Sequence, residues 1–146
     1  LFKIKNYVIF MDLGLSVKWA SCNLGANIPK DNGKLYTFEE ATHNTDGKLP
    51  TKEQWEELKN KCTWTWENKN GINGYKVTGL NGNYIFLPAA GYRDCNGATG
   101  NVGIFGFFWS STPYDSDRAW RLRFRSSGVG MGLGNRCYGR SVRLVQ

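Results

Sequence analysis

The feature that most constrains this chain is a strict two-residue alternation between positions 118 and 138. Apolar side chains occupy every second position of 120–124 and again of 129–133, with Ser126 and Ser127 between the two runs. Because successive side chains of a β-strand point to opposite faces, the pattern predicts two half-buried strands. The positions between the apolar ones are arginines in the first run and glycines in the second.

The outward face of these strands does not favour folding. Glycine inside a strand costs roughly 0.5–1 kcal/mol relative to alanine, and several arginines on one surface repel one another. We therefore expect the inward residues to carry the structure and the outward positions to be free to form a binding site. Composition alone leaves an alternative equally open, in which a basic solvated strand is followed by a glycine-rich loop.

The net charge of +7 is concentrated in the C-terminal part of the chain. Residues 1–117 contain 12 Lys and Arg and 12 Asp and Glu, whereas residues 118–146 contain seven Arg and no acid. A basic patch of this kind attracts nucleic acid, acidic glycans or acidic proteins, and charge does not choose between them. The length predicts one domain, 1–146, and the chain has no apolar run long enough for a transmembrane helix.

The cysteines and the histidine do not form a recognisable catalytic or metal-binding pattern. Cys22, Cys62, Cys95 and Cys137 are widely spaced, and His43 is the only histidine, so the close ligand pairs of a zinc site are missing. The cysteines could form two disulfides or remain as four buried thiols, and the spacing does not assign a pairing. We predict no enzymatic activity, no cofactor and no metal.

Two capping boxes predict two helices in the first half of the chain. Thr51 and Gln54 introduce an apolar stripe and predict the main helix at 52–61, while Thr37 and Glu40 predict a shorter one. Further strands are predicted at 8–10, 17–20, 63–66, 75–78, 84–87, 106–111 and 139–145. Helices placed early and followed by many short strands predict an α+β fold with a mainly antiparallel β-sheet.

Several blocks of the sequence, taken in order, resemble a known family. They are Asp12 to Ala20, Leu49-Pro50-Thr51, Cys62 to Trp66, Ile85 to Tyr92, Phe108 to Ser111 and Gly139 to Arg143. Together they are similar to the major paralogous domain of Bacteroidetes surface proteins, and they cover nearly the whole chain. This resemblance implies a C-type-lectin-like fold in its formylglycine-generating-enzyme-like form, with two helices and a curved antiparallel sheet.

The stretch 118–138 is similar instead to the variable region of proteins encoded beside diversity-generating retroelements. Those systems randomise template adenines, mostly in AAC codons, which can become codons for Arg, Gly, Ser, Leu, Tyr or Cys. The resemblance implies a variable ligand-binding set on the C-terminal strands, comprising Arg118, Arg121, Arg123, Arg125, Gly128, Gly130, Gly132, Gly134 and Tyr138. Trp120, Phe124 and Met131 would be the fixed scaffold between them, whereas Leu133 and Asn135 are ambiguous.

The resemblance implies a non-catalytic ligand-binding or adhesion module whose partner is a protein or glycan on a cell surface. It also implies export, to a cell surface or to a phage tail. A chain that starts at Leu1 is expected to be trimmed, so a removed signal or anchor would leave no trace in it. The alternative function is a basic polyanion or nucleic-acid binding domain. Trp120 and Phe124 are poorly placed to stack on bases, however, because they occupy the strand positions that face the core.

Overall fold

The computed structural model describes residues 8–146, so the first seven residues of the predicted domain lie outside it. Its two helices are α1 (Phe38–His43) and α2 (Lys52–Lys61). The strands of the first half and middle are β1 (Phe10–Met11), β2 (Trp19–Ala20), β3 (Thr63–Lys69), β4 (Ile72–Thr78) and β5 (Tyr84–Pro88). The later strands are β6 (Tyr92–Arg93), β7 (Thr99–Gly100), β8 (Gly106–Pro113), β9 (Arg118–Arg125) and β10 (Gly128–Asn135).

The strands form four separate antiparallel sheets. Two are three-stranded, with the orders β3-β4-β5 and β10-β9-β8, and two are two-stranded ribbons, β1-β2 and β6-β7. The β8–β9 pairing shifts register between Trp109 and Pro113, where the ladder is irregular. No helix within residues 8–146 is long and apolar enough to cross a membrane.

The predicted α+β, C-type-lectin-like fold with one curved sheet is wrong. The structure is mostly β-sheet, with 41% strand and 12% helix, and its sheets are small. The physical reason lies in the lengths of the elements. Helices of six and ten residues are too short to form a helical layer, and strands of two to eight residues form only two- and three-stranded sheets.

The two predicted helices are nevertheless confirmed as elements. In α2 the Thr51 hydroxyl accepts a hydrogen bond from the Gln54 amide, and the Gln54 side chain accepts one from the Thr51 amide. These reciprocal bonds satisfy amide groups that the first turn of a helix leaves unpaired. Trp55 and Leu58 then turn inward from α2 and are fully buried.

Apolar clusters cover both faces of the β8–β9–β10 sheet. One cluster includes Phe108, Leu122 and Phe124 and joins α2 and the β3–β5 sheet, with Trp55 at its centre. The other packs Trp109 and neighbouring residues against α1. Consecutive residues of β8 therefore enter different clusters, as the alternation of a strand requires. The second cluster covers only part of its face, because Arg123 and Arg125 on the same face are exposed.

The strand predicted at 139–145 is not formed. Its residues make only isolated bridges, including a parallel one between Ser141 and Phe108 and an antiparallel one between Arg140 and Tyr36. The amide of Arg140 donates to the carbonyl of Tyr36 at 2.8 Å, and the reverse bond has the same length. The segment therefore lies between β8 and the residues before α1, where it fixes the backbone of Arg140.

Candidate functional site

The pairing of β9 with β10 places the predicted arginines directly opposite the predicted glycines. Arg121, Arg123 and Arg125 face Gly132, Gly130 and Gly128 respectively across the ladder. Residues directly opposite in a pair of antiparallel strands share one face of the sheet, so these six residues together with Gly134 form one surface, named here the arginine–glycine face. The alternation therefore predicted this grouping correctly.

The opposite face of the same two strands is built into the core. Leu122 and Phe124 are almost completely buried, and Val129 and Met131 pack against the same cluster. A shift of one residue in the register would exchange the two faces and would move these apolar side chains into solvent. The buried residues thus hold the arginine–glycine face in place without involving its side chains.

Arg123 and Arg125 are the exposed part of the arginine–glycine face. Each guanidinium lies 5.8 Å from the ring centre of Phe105. Arg125 also donates from Nε to the hydroxyl of Ser127 at 2.8 Å. Neither arginine forms an ion pair within residues 8–146. Both charges are therefore available to a ligand at the surface.

Arg121 is half-buried and meets a second arginine that the sequence analysis did not assign to the site. This is Arg140, which is only 5% exposed. The Nε atoms of both residues are buried without a hydrogen-bond partner, and no described acid pairs with either guanidinium. No local signal marks Arg140, because only its long-range bridges bring it beside β9.

Burial changes the acidity of both groups. Desolvation lowers the pKa of Arg121 to about 10, with a further contribution from the charge of Arg123. Desolvation also lowers the pKa of Arg140 to about 9, and the charge of Arg121 adds to this effect. Desolvation and like-charge repulsion both disfavour the charged form of a cation. The two guanidinium groups are thus held close together in surroundings that supply no neutralising charge.

Aromatic rings lie next to the guanidinium groups of Arg121 and Arg140. The guanidinium of Arg140 lies 5.0 Å from the Phe107 ring, 4.9 Å from the Trp109 ring and 5.0 Å from the Tyr138 ring. The guanidinium of Arg121 lies 5.4 Å from the Phe107 ring. Both arginines, Phe107 and Tyr138 line a shallow open depression of about 440 Å³, which is named here the Arg121–Arg140 depression.

The glycines of β10 differ in what they make room for. A Cβ atom at Gly134 would lie 2.7 Å from Nη2 of Arg140, and one at Gly132 would lie 3.0 Å from Nη1 of Arg121. A Cβ atom at Gly130 would meet nothing within 4 Å. Two of the glycines therefore leave space for guanidinium groups, whereas Gly130 opens directly to solvent.

Arg118 and Tyr138, the remaining predicted residues, lie at the edges. Arg118 is opposite Asn135 and has the same strand parity as the buried residues, and its guanidinium forms a 2.8 Å ion pair with Asp115. The hydrogen bond from Arg118 lowers the pKa of that carboxyl group. Tyr138 lines the Arg121–Arg140 depression, and its ring lies 5.5 Å from that of Tyr92.

One disulfide fixes the chain beside Tyr138. It joins Cys95 to Cys137, whereas Cys22 and Cys62 are free thiols. Neither of the two arrangements considered from the sequence, two disulfides or four thiols, is therefore correct. Within the described part of the chain, no group of three or more His, Cys, Asp or Glu residues could hold a metal ion.

Arg143 shows how this fold treats an arginine with a structural role. It is fully buried, and it donates to the Asn23 side chain at 2.9 Å and to the carbonyls of Ala20 and Phe86 at 2.9 and 2.7 Å. Burial lowers its pKa to about 9, but its donors have partners. The unpartnered Nε of Arg140 is therefore not a general property of buried arginines in this molecule.

Comparison with known proteins gives a family but no described relative. No curated protein matches the chain, and no solved structure does. The model of a family described as a domain of unknown function, DUF8237, matches residues 47–145. The match begins before α2 and includes the whole β8–β9–β10 sheet and Arg140. Because it covers more than half of the sequence, the chain belongs to the DUF8237 family.

Proposed function

We propose that this chain is a non-catalytic ligand-binding module whose arginine–glycine face is a hypervariable surface generated by a diversity-generating retroelement. One observation carries the proposal: three arginines of β9 and four glycines of β10 share one face, while the residues between them are held in the core. A strand face that is chosen for packing would not place arginines opposite glycines in three successive pairs on the same face. The ligand is a protein or glycan on a cell surface, and the module acts there or on a phage tail.

The identity of the residues supports a genetic origin for the pattern. Every arginine and glycine of the face, and also Arg118 and Tyr138, can arise from an AAC codon by changes at its first two bases. The scaffold residues Trp120 and Met131 cannot arise in this way, because their codons end in G. The mixture of Arg and Gly, which neither packing nor strand propensity favours, is expected from a mutational process that acts on chosen codons.

The first test is to read the DNA that encodes residues 118–138 and to search its neighbourhood for a near-copy. The proposal expects codons ending in C at the arginine and glycine positions, and adenines in the copy wherever the two sequences differ. Mixed codons together with the absence of a copy would overturn the proposal of a diversified surface.

A second test compares the two faces of β9 in the purified protein. We expect Arg123→Ser to change the free energy of unfolding by less than about 0.5 kcal/mol, as is usual for exposed positions. The matched variant Leu122→Ala, which alters the adjacent buried residue, should cost about 2–5 kcal/mol. Equal losses from the two variants would show that the arginine–glycine face is structural and would count against its role as a free binding surface.

The charge distribution favours a second candidate, a polyanion or nucleic-acid binding domain. All of the excess charge lies in residues 118–146. However, Phe124 is 1% exposed and cannot stack on bases. One face of the half-buried Trp120 ring is already occupied by Lys52, whose Nζ lies 3.9 Å from the ring centre. A salt titration of binding to generic DNA tests this candidate. Tight binding that survives raised salt would favour it, whereas weak and steeply salt-dependent binding would show charge attraction alone.

A further inference from the structure

We propose that Arg121 and Arg140 together form an oxyanion site, which takes a sulfate, phosphate or carboxylate group of the ligand. The inference deepens the proposed function and depends on it for the statement that this group belongs to a ligand of the arginine–glycine face. It assigns to that ligand a chemical class, an anion, and it places the anionic group in the Arg121–Arg140 depression.

The first argument is the absence of a partner for a buried charge. Taking a guanidinium out of water is costly, and proteins offset the cost with an acid or with a full set of hydrogen bonds. Arg143 follows this rule, with three donated hydrogen bonds. Arg140 does not, because it is 5% exposed, its Nε is unpartnered, and no described carboxylate pairs with it.

The second argument is convergence. Arg121 and Arg140 both lie over the Phe107 ring, at 5.4 and 5.0 Å, and both line the same open depression. Two like charges in one concavity repel each other unless an anion lies between them. Guanidinium groups bind oxyanions through paired N–H donors with fixed geometry, and neither guanidinium group donates a hydrogen bond to any described residue.

The depression is also shaped to keep these groups in place. Gly134 and Gly132 leave room for the Arg140 and Arg121 guanidinium groups, since a Cβ at either position would lie 3.0 Å or less from them. The Arg140 backbone is held by two hydrogen bonds to Tyr36. The lowered pKa of Arg140 agrees with this picture, because it reflects surroundings that disfavour the charge until an anion arrives.

The two arginines differ in where they lie relative to the variable stretch. Arg121 lies within 118–138, whereas Arg140 lies beyond it and is held by the bridges of the C-terminal segment. Arg140 would therefore be a constant anchor for the anionic group, and Arg121 would be a second contact particular to this variant. Sister variants that have lost Arg121 would retain a weakened form of the same site.

The experiment is a titration of the purified chain with sodium sulfate against sodium chloride at equal ionic strength. The Nε–H signals of the arginines are followed by nuclear magnetic resonance, and thermal stability is recorded in parallel. We expect saturable shifts of the Arg121 and Arg140 signals and a rise in melting temperature with sulfate only. Parallel titrations with phosphate and acetate show whether tetrahedral or planar oxyanions bind best.

Variants separate this site from general charge attraction. Arg121→Gln, at the half-buried member of the pair, should weaken sulfate binding by about tenfold, which corresponds to 1.4 kcal/mol. Lys18→Gln removes the same charge from an exposed lysine outside the face and should weaken binding by less than about twofold. Non-saturable shifts, or equal losses in the two variants, would overturn the oxyanion site.

The outcomes also separate this inference from the proposed function. A template copy in the DNA without saturable sulfate binding would refute the oxyanion site and leave the diversified surface standing. Saturable sulfate binding, found together with mixed codons and no template copy, would support a fixed anion site and refute the diversified surface. Arg140→Gln provides a second variant, and a folded form of it that still binds sulfate as the wild type does would also overturn the inference.

Discussion

Two buried arginines only three residues apart, Arg140 and Arg143, are expected to differ in how much the same substitution destabilises the protein. Replacement by Met removes the charge and the donors but keeps much of the volume of the side chain. For Arg143, the change leaves three buried acceptors without donors, namely the Asn23 side chain and the carbonyls of Ala20 and Phe86. These acceptors belong to segments far apart in sequence, so the loss affects contacts that join the two ends of the chain to β5.

The magnitude follows from the hydrogen bonds that are lost. Each buried acceptor left unpaired costs about 1–3 kcal/mol, and part of the total is regained because the guanidinium no longer has to be buried. We therefore expect Arg143→Met to lower the free energy of unfolding by about 3–5 kcal/mol. In a chain of this size, that loss corresponds to a fall in melting temperature of about 10–20 °C.

Arg140→Met should behave differently, because the Arg140 side chain makes no hydrogen bond or ion pair within the described residues. The variant loses contacts of the cation with aromatic rings, worth about 0.5–2 kcal/mol, and gains relief from a buried charge beside Arg121. We expect a net change within about 1 kcal/mol. Urea and thermal unfolding of both variants provide the measurement, and equal destabilisation by the two would refute the claim that Arg140 lacks a structural partner.

Three further variants test the local structure. Gly134→Ala should lower the free energy of unfolding by about 1–3 kcal/mol, because the new Cβ meets a buried guanidinium group. Gly130→Ala should raise the free energy of unfolding by about 0.4–1 kcal/mol, because its Cβ meets nothing within 4 Å. Urea unfolding of the two variants measures both changes. Reduction of the Cys95–Cys137 disulfide, which closes a separation of 42 residues, should cost about 4 kcal/mol, and thermal melts with and without reductant measure this loss. Thr51→Ala removes the cap of α2 and should cost about 1 kcal/mol in a urea titration.

Local interactions explain which parts of the structure the sequence could predict. The Thr51–Gln54 capping box depends on residues three apart and predicted the start of α2 correctly. β9 and β10 form a hairpin with its turn at Ser126 and Ser127. The two-residue alternation within each strand was therefore enough to predict which residues form the arginine–glycine face. In both cases the residues that determine the element lie within the element or beside it.

Long-range contacts explain what the sequence could not predict. The Cys95–Cys137 disulfide depends on a Cα–Cα distance of 5.1 Å, which no spacing reveals. Arg140 belongs to the site only because the segment after Tyr138 bridges to β8 and to Tyr36. The fold class was wrong for a related reason, since local patterns predicted the helices and strands but not their division into four small sheets.

The positions of the arginine–glycine face should differ in the size of side chain that they accept, because different groups lie next to them. Gly130 and Arg123 are bordered by solvent, so a side chain of any size fits at either position. Gly134 lies beneath the Arg140 guanidinium, so a larger residue there must displace a buried group that packs on three rings. If a retroelement diversifies this face, folded sister variants should carry bulky residues at 123 and 130 but small ones at 134, whatever the mutational process supplies. Equal variety at all three positions among variants selected only for folding would show that the Arg140 site is not part of the constant framework.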